Sequence, residues 1–107
     1  MGETCEHWCD GFKFTWDEEK AKENIEKHGI SFELACWALL NRVYVAEEQE
    51  EEDGEQRIAQ IAFPRSRDCS SLLFVVYTGR ADSQRIITAR KAVSTERKRY
   101  EEENSAY

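Results

Sequence analysis

Lys27-His28-Gly29-Ile30-Ser31 sets a cation, an imidazole and a chain reversal side by side. Glycine after a helical pattern is a stop signal, because it takes the left-handed conformation without a Cβ clash. Serine two residues later is a start signal, because its hydroxyl accepts an orphan N–H of the next helix. His28 therefore sits at a helix C-terminus, where the helix dipole favours a cation. That placement suits acid–base chemistry, and it equally suits a histidine that only closes its helix. The second half of the chain supplies guanidiniums at Arg57, Arg80, Arg85 and Arg90, with Glu55 just ahead of Arg57. Planar guanidinium forks match phosphate oxygens two at a time. Cys5, His7 and Cys9 could crowd a soft metal, but C-x-H-x-C is not a standard zinc spacing and a fourth ligand is missing.

The elements that must position these groups follow from the hydrophobic pattern. Phe12-Lys13-Phe14-Thr15-Trp16 alternates as a short strand, and Asp17 can cap the helix that runs to about His28. Ala21, Ile25 and His28 share one face of it, which predicts a partly buried His28. Phe32, Ala35, Cys36, Leu39 and Leu40 form the core-facing stripe of a second helix. Val43 to Ala46 reads as a strand. Glu47 to Asp53 is so densely acidic that it reads as a solvated loop. Gln56 to Phe63 is a strand ended by Pro64. Leu72 to Tyr77, apolar on both faces, is expected to be a central strand. Arg85 to Arg90 is another strand, and strict alternation would send Arg85 and Arg90 to opposite faces. Ser94 can cap a last, almost wholly polar helix, about Thr95 to Glu103, with Tyr100 as its main apolar handle. The expected class is α+β, in the order β-α-α-β-β-β-β-α. A small, mostly antiparallel sheet carries a helical hairpin on one face and a C-terminal helix. Residues 11–107 form one domain, after a flexible N-terminal extension, 1–10.

The chain has 107 residues, 40% of them hydrophobic, which supports one modest core. No apolar run approaches membrane-span length and no signal-peptide core follows Met1, so a cytoplasmic protein with no membrane partner is expected. Four cysteines are too scattered for a disulfide framework. The net charge of −7 hides an asymmetry: residues 1–56 carry 5 basic and 16 acidic side chains, whereas 57–99 carry 10 basic and 3 acidic. The basic segment points to a polyanion-binding face.

Three ordered motifs carry a family resemblance. Trp16-Asp17-x-x-Lys20-x-x-x-Asn24-x-x-Lys27-His28-Gly29-x-Ser31-Phe32-x-x-Ala35 resembles the opening motif of the BrnT toxins of type II toxin–antitoxin systems. Glu55-x-Arg57 matches a middle pattern. Arg85-x-Ile87-x-Ala89-Arg90, followed by Glu96-Arg97-x-x-Tyr100, resembles the closing motif. Together they span Phe12 to about Glu101. The chain departs from the family's usual glycine-bearing loop after Phe63, and in its Cys-bearing N-terminus and long acidic run.

The resemblance implies a RelE-like fold and a ribonuclease toxin that acts without metal or cofactor. It implies neutralisation by a BrnA-like antitoxin, in a heterotetramer of two toxins on an antitoxin dimer that contacts operator DNA through the antitoxin. Metal-free RNA cleavage must take a proton from the 2′-OH, give one to the leaving oxygen, stabilise the crowded phosphate and hold the strand in line. On this reading His28 and Glu55 are the proton-transfer candidates. Arg57, Arg85 and Arg90 are catalytic phosphate contacts, while Lys27, Arg80 and Tyr100 hold RNA. A strand arginine can equally be solvated or ion-paired, and Tyr100 can equally be only a helix anchor. The acidic first half leaves a second reading open: a degenerate homologue that binds antitoxin or nucleic acid without cleaving it.

Overall fold

The computed structural model describes residues 2–51 and 53–104. Glu52 of the acidic run, Met1 of the expected extension and the last three residues of the expected domain lie outside the described residues. The elements are β1 (Thr4–Cys9), β2 (Phe12–Asp17), α1 (Glu18–His28), α2 (Phe32–Leu39), β3 (Val45–Glu48), β4 (Arg57–Ala62), β5 (Leu73–Gly79), β6 (Gln84–Lys91) and α3 (Ser94–Asn104). One six-stranded sheet runs in the order β1-β2-β6-β5-β4-β3. Its pairs are antiparallel except β2 with β6. The class is the expected α+β, with the helical hairpin on one face and a C-terminal helix.

Local signals set the hairpin. Asp17 accepts the N–H groups of Glu19 (2.9 Å) and Lys20 (3.1 Å) at the start of α1. Gly29 closes that helix at φ 70°, its N–H returning to the Ile25 carbonyl. Ser31 accepts the Leu34 N–H at 3.1 Å and opens α2. Phe32, Ala35 and Cys36 then bury against Phe14, Trp16, Leu73, Val75, Ile86 and Ala89. Each fully buried large apolar side chain contributes about 1.5–3 kcal/mol. A second core lies on the other sheet face, where Val45, Ala59, Ile61, Phe74 and Val76 are joined by Phe63, Ile87 and Tyr100.

Four local expectations are corrected. Residues 4–9 are not a flexible extension but an edge strand, because Asp10 (φ 51°) and Gly11 (φ 84°) turn it tightly back onto β2. The acidic run is not all loop: Glu47 and Glu48 pair with Ala59 and Ile58 as β3. That strand starts at Val45 because the Asn41 carboxamide accepts the Val43 N–H and donates to the Phe63 carbonyl, holding the chain in a turn. On α1 the buried residue is Asn24, while Ile25 and His28 are exposed, because the helix rests against the β6 edge on its Asn24 side.

The fourth correction governs the site. Val76 pairs with Thr88 but Tyr77 pairs with Ile86, so β6 carries one extra residue at Ile87. A bulge of this kind resets the alternation. Arg85 then lies opposite Thr78 and Arg90 opposite Phe74. Residues 74, 76 and 78 share a face, so both arginines stand on the face away from the helical hairpin, not on opposite faces.

Candidate functional site

The sheet face away from the hairpin gathers the strand arginines. Arg57 and Arg85 both pair with Thr78, and Arg85 pairs on its other side with Thr15 of β2. The register therefore draws a transverse row, Arg57–Thr78–Arg85–Thr15, with two guanidiniums flanking a buried threonine. Thr78 is 4% exposed and donates its hydroxyl to the Gln56 carbonyl at 2.9 Å, so it serves as a spacer.

Helix α3 covers one end of this face. Arg90 holds Glu96 through two bonds of 2.8 Å each, and its guanidinium lies 4.1 Å from the centre of the Phe74 ring. The same carboxylate accepts the Val93 N–H at 2.9 Å, fixing the start of the helix. Tyr100 meets Phe63 edge to face at 5.6 Å, and Arg99 pairs with Glu47 of β3. Burial alone would raise the Glu96 carboxyl, but the Arg90 bonds, the Val93 N–H and the Arg90 charge outweigh it and hold that carboxyl below its ordinary value. A carboxyl depressed on folding stabilises the fold above its unfolded pKa, and that contribution disappears as pH falls through the folded value. Glu96→Gln should cost about 1–2 kcal/mol near neutrality, given the strength of charged hydrogen bonds at a part-exposed site. In thermal melts the gap between variant and wild type should close as the pH is taken below about 4. A gap that persists in acid would mean that the ion pair does not hold α3.

Beside α3 the face stays open as a groove in two parts. One part, about 260 Å³, lies between α1 and β6 and is lined by Lys20, Glu23, Lys27 and His28. The other, about 430 Å³, lies over β5 and β4 and is lined by Gln49, Glu50, Arg57 and Val76. Ile87 and Thr88, the bulge residues, line both parts. The groove thus has an exposed imidazole and two ammonium groups at one end, a guanidinium at the other, and single carboxylates on each rim.

The structure brings Lys27, His28 and Arg57 to this groove, with Arg85 on the adjoining row. It sets the other sequence candidates apart. Glu55 pairs with Arg80 at 2.9 Å where β4 begins. Arg90 is committed to Glu96, and Tyr100 packs in the second core, where burial pushes its phenol up. Cys5, His7 and Cys9 alternate onto the hairpin-facing side of β1, where His7 lies 5.5 Å from the Trp16 ring. Their spacing is the period-two repeat of a strand. Among the described residues no three His, Cys, Asp or Glu side chains converge to hold a metal ion.

Asn24 stands in the opening motif, but sequence reasoning gave it no role in the site. It is 5% exposed and uses its whole amide. Its Nδ2 donates to the carbonyls of Ile30 (2.8 Å) and Ala89 (2.7 Å). Its Oδ1 accepts the Ala89 N–H (3.2 Å) and the Thr88 hydroxyl (3.0 Å). β2 leaves β6 after the Thr15–Arg85 rung, and beyond it Asn24 binds both backbone groups of Ala89 as a neighbouring strand would. One side chain therefore ties the α1–α2 corner, with Lys27 and His28, to the bulged strand. The available signal was its place beside Ala21 on α1, where a polar residue faces the sheet.

A family model described as the ribonuclease toxin BrnT of type II toxin–antitoxin systems matches residues 16–96. No curated protein matches the chain.

Proposed function

Because the chain belongs to the BrnT family of type II toxin–antitoxin ribonuclease toxins, we propose that the groove beside α3 is an endoribonuclease site that works without a metal. The observation that carries this reading is that two hollows, one lined by His28 and the other by Arg57, share Ile87 and Thr88 as a common wall. Arg57 and Arg85 grip the scissile phosphate and stabilise the charge that grows on it. His28 moves the proton, because imidazole both accepts and donates near neutrality. Lys27 and Lys20 hold the strand that enters over α1. Glu55, Arg80, Arg90 and Tyr100 support the frame around the site.

A 2′-OH attack supplies its own nucleophile, so the protein must deliver charge, orientation and proton transfer. Guanidinium and imidazole groups provide these. The site acts on cellular RNA in the cytoplasm, and the same cationic groove is covered by an acidic segment of a BrnA-like antitoxin, with two toxins on an antitoxin dimer. RelE-like architecture is the frame this reading assumes. No described helix is long and apolar enough to cross a membrane.

Purified, antitoxin-free protein should cleave an RNA oligonucleotide in the presence of a chelator and leave a 2′,3′-cyclic phosphate end. His28→Ala should slow that reaction by about 10²-fold or more. Folded protein that leaves RNA intact would favour a binding module that has lost cleavage.

A further inference from the structure

The Thr88 hydroxyl has one proton, and that proton is committed inward, to Asn24 Oδ1 at 3.0 Å. The Asn24 carboxamide cannot reverse to release it. Its nitrogen faces two carbonyl oxygens and its oxygen faces the Ala89 N–H, so a flipped amide would oppose like groups. Thr88 is part-exposed and lines both halves of the groove. Toward the groove its oxygen can therefore only accept. A phosphate oxygen brings no proton and gains nothing there, so this point differs in kind from the cations around it.

We infer that Thr88 accepts a hydrogen bond from a ribose 2′-hydroxyl of the bound strand, on a nucleotide next to the one that is cleaved, and that Asn24 is the positioning residue that imposes this polarity. The inference rests on the ribonuclease reading and adds a recognition contact to it. A 2′-OH is the donor that RNA offers and DNA lacks. The bulge at Ile87 is what turns Thr88 into the groove while Ala89 keeps its place in the hairpin core. The contact selects ribose independently of the nucleophile, so a strand lacking the neighbouring 2′-OH is held less well even when its reacting ribose is intact.

The test uses DNA oligonucleotides carrying a single ribose, moved one position at a time, with binding read by fluorescence anisotropy at low salt. Such a strand with its ribose in the neighbouring position has no 2′-OH at the cleaved linkage, and a gel run after each measurement confirms that it is intact. Wild-type protein should gain about fivefold in affinity over all-DNA at one position, the size of a single net hydrogen bond. Thr88→Val should lose that gain, read as the ratio of its own single-ribose and all-DNA affinities, and Thr88→Ser should keep it. Valine conserves the shape, and Asn24 retains its other three bonds, so the fold persists; a melt confirms it. An equal ribose gain in Thr88→Val and wild type overturns the inference while RNA binding stands. If wild-type protein binds no strand at all, the ribonuclease reading falls with it.

Discussion

Arg57→Ala should reduce the rate of RNA cleavage by about 10²–10³-fold, the usual cost of removing one fixed donor from a developing negative charge. The expectation comes from placement. Arg57 is half-buried at the end of β4, shares the Thr78 rung with Arg85 and lines the open part of the groove. Arg57→Lys should recover only part of the loss, because an ammonium keeps the charge but cannot present two parallel donors. Arg80→Ala supplies the contrast. Arg80 pairs with Glu55 at the strand end, away from the groove lining, and its loss should change the rate by less than about threefold, as for an exposed pair. Rates from single-turnover cleavage, with circular dichroism to confirm folding, decide the matter. Equal losses in the two variants would mean that general positive charge matters and the Thr78 row does not.

Asn24→Ala should be the costliest single truncation on α1, at about 3 kcal/mol. It strands the Ala89 N–H and C=O and the Ile30 carbonyl, and each buried orphan costs on the order of 1–3 kcal/mol. Urea titration should show a lower midpoint with an unchanged slope. Asn24→Asp adds a pH signature. A carboxylate would face two carbonyl oxygens, so the folded state should favour the protonated acid and its pKa should rise above the unfolded value. Stability of that variant should be greatest in acid and fall as pH rises toward neutrality, the reverse of the Glu96 contribution. A variant indifferent to pH would show that the amide donors are dispensable.

Much of the fold was legible because its signals are local. Asp17, Gly29 and Ser31 each act within one turn of chain, and Leu73 to Val76 announces a strand covered on both faces by being apolar throughout. What escaped depends on partners distant in sequence. The parity of Arg85 and Arg90 cannot be read along β6, because the extra residue is defined only against β5. β1 was within reach, since Asp10-Gly11 is a two-residue hairpin signal. Cys5, His7 and Cys9, whose spacing already argued against a metal site, are a strand repeat. For the site, residue types picked out Lys27, His28 and Arg57, but not that Glu55 would hold Arg80 or Glu96 would hold Arg90. Side-chain pairing between elements leaves no trace in spacing. Asn24 and Thr88 escaped for the same reason, their roles being set by an amide that reaches from a helix to a strand 64 residues away.

The bulge in β6 also makes the distance between two arginines a matter of counting. Five positions separate Arg85 from Arg90, an odd interval that would ordinarily divide them between the two sides of the sheet. With Ile87 as a spare residue, the odd interval behaves as an even one. A deletion of that one residue would leave four positions, an even interval in a regular ladder, and both guanidiniums would keep their face. The bulge and the odd interval are thus matched, because either one changed alone would turn one guanidinium into the oily layer under α1 and α2, and both changed together would not.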